Sequence, residues 1–140
     1  MSTKENRLPR EVWVAAISLK GLWPVDTTEK RMKDVLTRME SVYAFEPDII
    51  CLPEEVSQSW VKETQTLQET AEDEVTGGPI TSMLAAIAKR QHCYITCPVV
   101  TKNNGFYYDS TILLNREGMI DGVFHKVHPT SYEITPEKYF

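Results

Sequence analysis

Apolar positions along this chain change period several times, and each change predicts an element. Residues 11–21, EVWVAAISLKG, are nearly continuously apolar, which suits a strand covered on both faces. In residues 24–47 the apolar positions are Met32, Val35, Leu36, Met39, Val42 and Tyr43. That spacing gives a helix one apolar face. Asp26 followed by Glu29 resembles a capping box at its start, and Pro47 ends it. DIICLP, residues 48–53, is the second strand, and residues 54–78 form a long polar connection. A connection of that length is more often functional than filler. Gly77, Gly78 and Pro79 open a second helix with Ile80, Met83, Leu84 and Ile87 on its apolar face.

Three strands follow. They are CYITCPVVT (93–101), YYDSTILLN (107–115) and MIDGVFHKVH (119–128), joined by turns at KNNG (102–105) and REG (116–118). The predicted order, β-α-β-α-β-β-β, makes an α/β domain: a mixed sheet with two helices on one face. Residues 1–10 read as a flexible lead-in and 11–140 as one domain.

Composition narrows the function. The 140 residues suit one domain, and 41% apolar with 25% charged residues is ordinary for a globular protein. A net charge of −5 disfavours nucleic acid and anionic membrane as partners. The polar start, MSTKENRLPR, lacks the apolar core of a signal peptide, and no apolar run approaches a membrane span. Three irregularly spaced cysteines make no disulfide framework. The expectation is a cytoplasmic protein with reduced thiols.

Chemistry gathers beyond the carboxyl ends of strands in open α/β sheets. Glu54 follows the second strand, and Lys126 lies at the end of the last. Each, taken alone, reads first as an ordinary surface group: a solvated loop acid and a snorkelling edge lysine. Cys51, three residues before Glu54, should face the core by strand parity. Glu133 and Glu137 in the tail read as surface acids. ETAEDE, residues 69–74, reads as a solvated loop. His92, Cys93 and Cys97 match no common zinc pattern, and His125 and His128 fall on opposite sides of a strand. No metal or cofactor is expected.

Taken together, the pieces resemble the nitrilase superfamily, the carbon-nitrogen hydrolases, from residue 12 onward. VWVAAIS resembles the family's first strand, and ICLPEE its second, which ends in Pro and the catalytic Glu. GGPITSMLAAIAKRQH resembles the Gly-Pro helix start, and YYDSTILLNREGMIDGVFHKVHP the hairpin that carries the family lysine. The order and spacing of these pieces are more specific than any one of them.

The resemblance implies a four-layer α-β-β-α sandwich and hydrolysis of non-peptide carbon-nitrogen bonds in a nitrile, amide or N-carbamoyl substrate. It implies a Glu–Lys–Cys triad in which Glu54 is the general base and Lys126 the lysine. Glu133, after HKVHPTSY, corresponds to a second glutamate. The family's cysteine lies about thirty residues past the lysine, beyond Phe140, so this chain would supply Glu and Lys only and be inactive alone. Cys51, Cys93 and Cys97 do not suit the nucleophile's place. Asp109 stands where the family has asparagine. Half a sandwich leaves apolar sheet uncovered, so a homo-oligomer or a companion C-terminal half is expected beside a small-molecule substrate. The alternative is a catalytically dead pseudoenzyme or oligomerising interaction module of the same fold.

Overall fold

The computed structural model describes residues 8, 11–19, 28–54 and 68–128. Strands β1 (Val14–Ala16), β2 (Ile49–Cys51), β3 (Glu72–Asp73), β4 (Tyr94–Asn103), β5 (Phe106–Leu114) and β6 (Ile120–His125) alternate with helices α1 (Thr28–Val42) and α2 (Pro79–Gln91). They form a six-stranded sheet in the order β1-β2-β4-β5-β6, with β3 also paired to β4. The pairings β1/β2, β2/β4 and β3/β4 are parallel, and β4/β5 and β5/β6 are antiparallel. The mixed α/β sheet with two helices is as the sequence implied. Strand β3 is an addition, inside the segment read as a long polar connection.

One face of the sheet carries the core. Ile50, Ile95, Cys97, Val99, Ile112 and Leu114 are buried there against Val35 and Met39 of α1 and Leu84, Ile87 and Ala88 of α2. The apolar stripes predicted on both helices, from Val35 onward in α1, are therefore the packed faces. The capping box at Asp26 lies outside the described residues. Helix α1 ends before Pro47, through a 3₁₀ turn at Tyr43–Phe45 and a left-handed Glu46 (φ 48°). Pro79 occupies the first turn of α2, where its missing N–H costs nothing.

The other face is open at β1 and β6, while Pro98 and Val100 of β4 are buried on it. Val14 and Phe124 are 60% and 64% exposed on it, so β1 is not covered on both faces as its apolar run suggested. Cys51 also lies on this side. Ile50 is the fully buried residue of β2, and Cys51, aligned with Thr96, is half-buried. The expectation of a core-facing Cys51 is corrected. Parity counted back from Glu54 failed because the strand stops at Cys51.

Two features shape the carboxyl end of the sheet. First, β2 and β3 lie on the same flank of β4, since β5 occupies the other flank along residues 95–103. β2 pairs as far as Thr96 and β3 begins at Thr101. The chain leaves the sheet between them: the Leu52 amide donates to Thr96 Oγ1 (3.0 Å), and Pro53 has no amide hydrogen to offer. Pro98 is tolerated in β4 because that stretch has a strand on one flank only. Second, β6 carries a bulge. Leu114 pairs with Ile120 but Leu113 with Gly122, so Asp121 is one residue extra. The insertion reverses the facing of all that follows. An unbulged ladder would set Lys126 opposite Tyr108 on the helix side; the bulge sets it opposite Asp109 on the open side.

Candidate active site

The chain turns away from β2 through Leu52 and Pro53 to deliver Glu54, and β6 ends in Lys126. The two heads meet: Lys126 Nζ donates to Glu54 Oε1 at 2.6 Å, across 72 residues of sequence. Lys126 Nζ also lies 3.3 Å from Asp109 Oδ2, and the Lys126 backbone amide donates to the Asp109 carbonyl at 2.8 Å. Glu54, Asp109 and Lys126 border a half-open hollow of about 180 Å³, whose walls include Leu52, Pro98, Thr111 and Phe124. One wall of the site is thus apolar and the other charged. Burial, the neighbouring Glu54 carboxylate and a hydrogen bond with it push the Asp109 carboxyl up to about 7, against the pull of Lys126. The three groups cannot all be comfortable when both acids are ionised.

The bulge also decides where His125 goes. It faces the helix side, where its Nε2 lies 2.6 Å from Glu74 Oε1, stacked on Tyr108 with 4.0 Å between ring centroids. Glu74 Oε1 also accepts from Thr101 Oγ1 (2.7 Å), and Oε2 from Asn103 Nδ2 (2.8 Å). Thr101 and Ser110 hydroxyls lie 2.7 Å apart. Burial raises the Glu74 carboxyl, but the hydrogen bonds from Thr101, His125 and Asn103 outweigh it and hold the group below its ordinary range. The Asp73 carboxylate shapes the turn bearing Glu74, accepting from the amides of Val75 (2.9 Å) and Thr76 (2.8 Å).

ETAEDE is therefore not simply a solvated loop. Glu72 is buried, 3% exposed, and its carboxylate caps α2 by accepting from the amides of Ile80 (2.6 Å) and Thr81 (2.9 Å). Gly78 makes room for it, since a Cβ there would stand 2.7 Å from the Glu72 side chain.

Of the three residues singled out for catalysis, Glu54 and Lys126 are brought together, and Glu133 lies outside the described residues. Two of the three cysteines are remote from the open face. Cys93 and Cys97 are fully buried, and burial, with the Glu72 charge, pushes the Cys97 thiol up to about 12. Among the described residues, no three His, Cys, Asp or Glu are arranged to hold a metal ion, and no helix is long and apolar enough to cross a membrane. The sequence reading missed Asp109 as Lys126's partner and Glu74 as His125's. The bulge carries both pairings, and Asp121-Gly122 is a weak sign of one.

A family profile for the carbon-nitrogen hydrolases matches residues 14–140. A search of curated protein sequences found no match. Solved structures with this fold include an N-terminal amidase (TM-score 0.69, 16% identity, 91% of this chain and 30% of that one). An amidase from Nesterenkonia sp. also shares it (TM-score 0.60, 11% identity, 86% and 44%), as does a carbon-nitrogen hydrolase from Helicobacter pylori G27 (TM-score 0.58, 14% identity, 86% and 41%). The chain spans less than half the length of each. The profile runs through both strand ends that meet at the hollow, and on that match the chain belongs to the carbon-nitrogen hydrolase family.

Proposed function

We propose that these 140 residues contribute the base and the cation of a nitrilase-type hydrolase, with Glu54 as general base and Lys126 as the stabilising ammonium. One observation carries the reading: an acid after β2 and a lysine after β6 pair at 2.6 Å at the edge of a hollow on the open face. Glu54, 57% exposed, is accessible enough to exchange a proton, and Lys126, 28% exposed, is partly desolvated. A carboxylate is a competent base at neutral pH, and an ammonium offers both charge and donors to an oxyanion.

The nucleophile in this reading is a cysteine outside these residues, at the place the family resemblance gives it: Cys93 and Cys97 are sealed in the core, and Cys51 is half-buried within β2. Glu54 takes the thiol proton, and the thiolate attacks the nitrile or carbonyl carbon. Lys126 steadies the negative charge that develops. Glu54 returns the proton to the departing ammonia or amine, and the carboxylate so restored activates the water that releases the acid; on a nitrile, water adds to the thioimidate before ammonia leaves. Glu133 assists as a second glutamate. The exposed apolar residues of the open face, Val14 and Phe124, are where the second sheet of a four-layer sandwich packs, from a companion half or another copy. The names of the solved relatives favour amides among the candidate substrates.

The test is a panel of amide, nitrile and N-carbamoyl substrates on the gene product containing these residues, beside its Glu54→Gln and Lys126→Met variants. Turnover lowered about 100-fold or more by each supports the reading. A folded product with no turnover on any of the three classes favours a pseudoenzyme or interaction module.

A further inference from the structure

Lys126 is held at both ends by one residue. Its backbone amide donates to the Asp109 carbonyl (2.8 Å), and its ammonium lies 3.3 Å from that residue's carboxylate. The ammonium then reaches out to Glu54 at 2.6 Å. Asp109 is 14% exposed and Glu54 57%, so the ammonium bridges an inner and an outer acid. Among the described residues, the surroundings of Asp109 offer little else to balance a second negative charge. Across on β4 stands Val100, with Pro98 beyond it on the same face; Phe124 and Lys126 come from β6, and Tyr107 and Thr111 from β5 itself. Lys102, on β4 and the same face, is paired two residues further on, with Tyr107.

We propose that Asp109 is a positioning residue of this site: it anchors Lys126 from beneath, and it shares one proton with Glu54 across the ammonium. The proposal rests on the reading of Glu54 and Lys126 as base and cation, and it adds a control on both. With the shared proton present, Asp109 is a neutral donor to Glu54, as an amide would be, and the ammonium is directed to Glu54 and the hollow. When that proton leaves, both acids are charged, and Asp109 draws the ammonium back toward the sheet. The raised Asp109 carboxyl agrees with this arrangement. The site is thereby in its base-and-cation form on the acid side of neutrality and withdraws its ammonium on the alkaline side.

The experiment is a carboxyl carbon NMR titration of the 140-residue chain through about pH 3–10. It follows Asp109 and Glu54 together with the Lys126 side chain, in wild type, Glu54→Gln and Asp109→Asn. The expected wild-type result is an Asp109 midpoint at about 7, with the Glu54 and Lys126 signals moving at that same pH. In Glu54→Gln the Asp109 midpoint falls by about one pH unit or more, because a like charge and its hydrogen bond are gone. In Asp109→Asn the Lys126 signal no longer moves near neutrality. An Asp109 midpoint in the ordinary aspartate range overturns the proposal, as does one unmoved by Glu54→Gln. The wild-type titration needs no variant to fold and no substrate. Failure of the substrate panel therefore counts against the catalytic reading alone, and failure of the titration against Asp109 alone.

Discussion

Two carboxylate clusters sit back to back through the same strands, and they are settled in opposite ways. On the helix side, Glu74 accepts from Thr101, Asn103 and His125, and every bond serves the ionised acid. On the open side, Asp109 and Glu54 compete for one ammonium. The residues concerned are chain neighbours, Ser110 beside Asp109 and His125 beside Lys126, so composition does not separate the clusters. Satisfaction does. A carboxylate with a full set of donors rigidifies the sheet edge, whereas two acids around one cation leave a proton in play. The settled cluster holds the strand ends in place, and the unsettled one is where the proposed chemistry falls.

If that division is right, core changes should damage stability and open-face changes should damage function. The largest expected loss of stability is Ile112→Ala. Ile112 is fully buried between the sheet and the helices, and its truncation should cost about 2–5 kcal/mol in urea denaturation. Phe124→Ala, on the opposite face, should stay within about 0.5 kcal/mol in the same chain. Equal losses at both positions would mean that the open face is packed in solution, by another copy of the chain. Next comes Lys126→Met in the active gene product. Removing the proposed oxyanion donor should lower kcat by about 10²–10³-fold, with melting temperature little changed. A fall in activity that merely tracks unfolding would make Lys126 a structural residue.

Glu74→Gln should sit below these, at about 1–3 kcal/mol, because the 10%-exposed side chain keeps its size but leaves a donor facing donors. Activity per folded molecule should change far less than in Lys126→Met. A larger catalytic than structural effect would erase the distinction between the two clusters.

How much of this was legible in the sequence depends on the element. The helices were, because their stripes at Val35/Met39 and Leu84/Ile87 meet the buried face as 3.6-residue spacing requires. The hairpin at residues 102–105 was, because Asn104 and Gly105 both take positive φ (50° and 85°), as a two-residue turn of this kind demands. Glu54 and Lys126 were found by resemblance, since alone each is an unremarkable surface group. What stayed hidden follows from register. Strand β3 is two residues of acid, without apolar alternation, and is held by its pairing with Thr101 and Lys102. The Asp121 bulge is one residue with no strong signature, yet it decides that Lys126 meets Asp109 and His125 meets Glu74. Parity misplaced Cys51 for the same reason: two-residue periodicity holds only while the ladder is unbroken.

The sharpest test of the comparison lies in the pH dependence of stability. Glu74 is held below its ordinary range, so its contribution is complete above the ordinary glutamate value and is lost as pH falls through its folded one. Asp109 runs the other way. Raised from 3.8 to about 7, it keeps its proton in the folded chain where the unfolded chain has released it. Its contribution is complete below 3.8 and is lost as pH rises through about 7. Glu74→Gln should therefore flatten the acid limb, and Asp109→Asn the decline toward neutrality. Glu54→Gln should flatten that decline in part, since the Glu54 charge helps to raise Asp109. The exposed ion pair it removes is worth only about 0–1 kcal/mol. Urea midpoints measured from about pH 2 to 8 decide the matter. If Asp109→Asn leaves that curve unaltered, the folded chain holds no extra proton at Asp109, and the open cluster is as settled as the covered one.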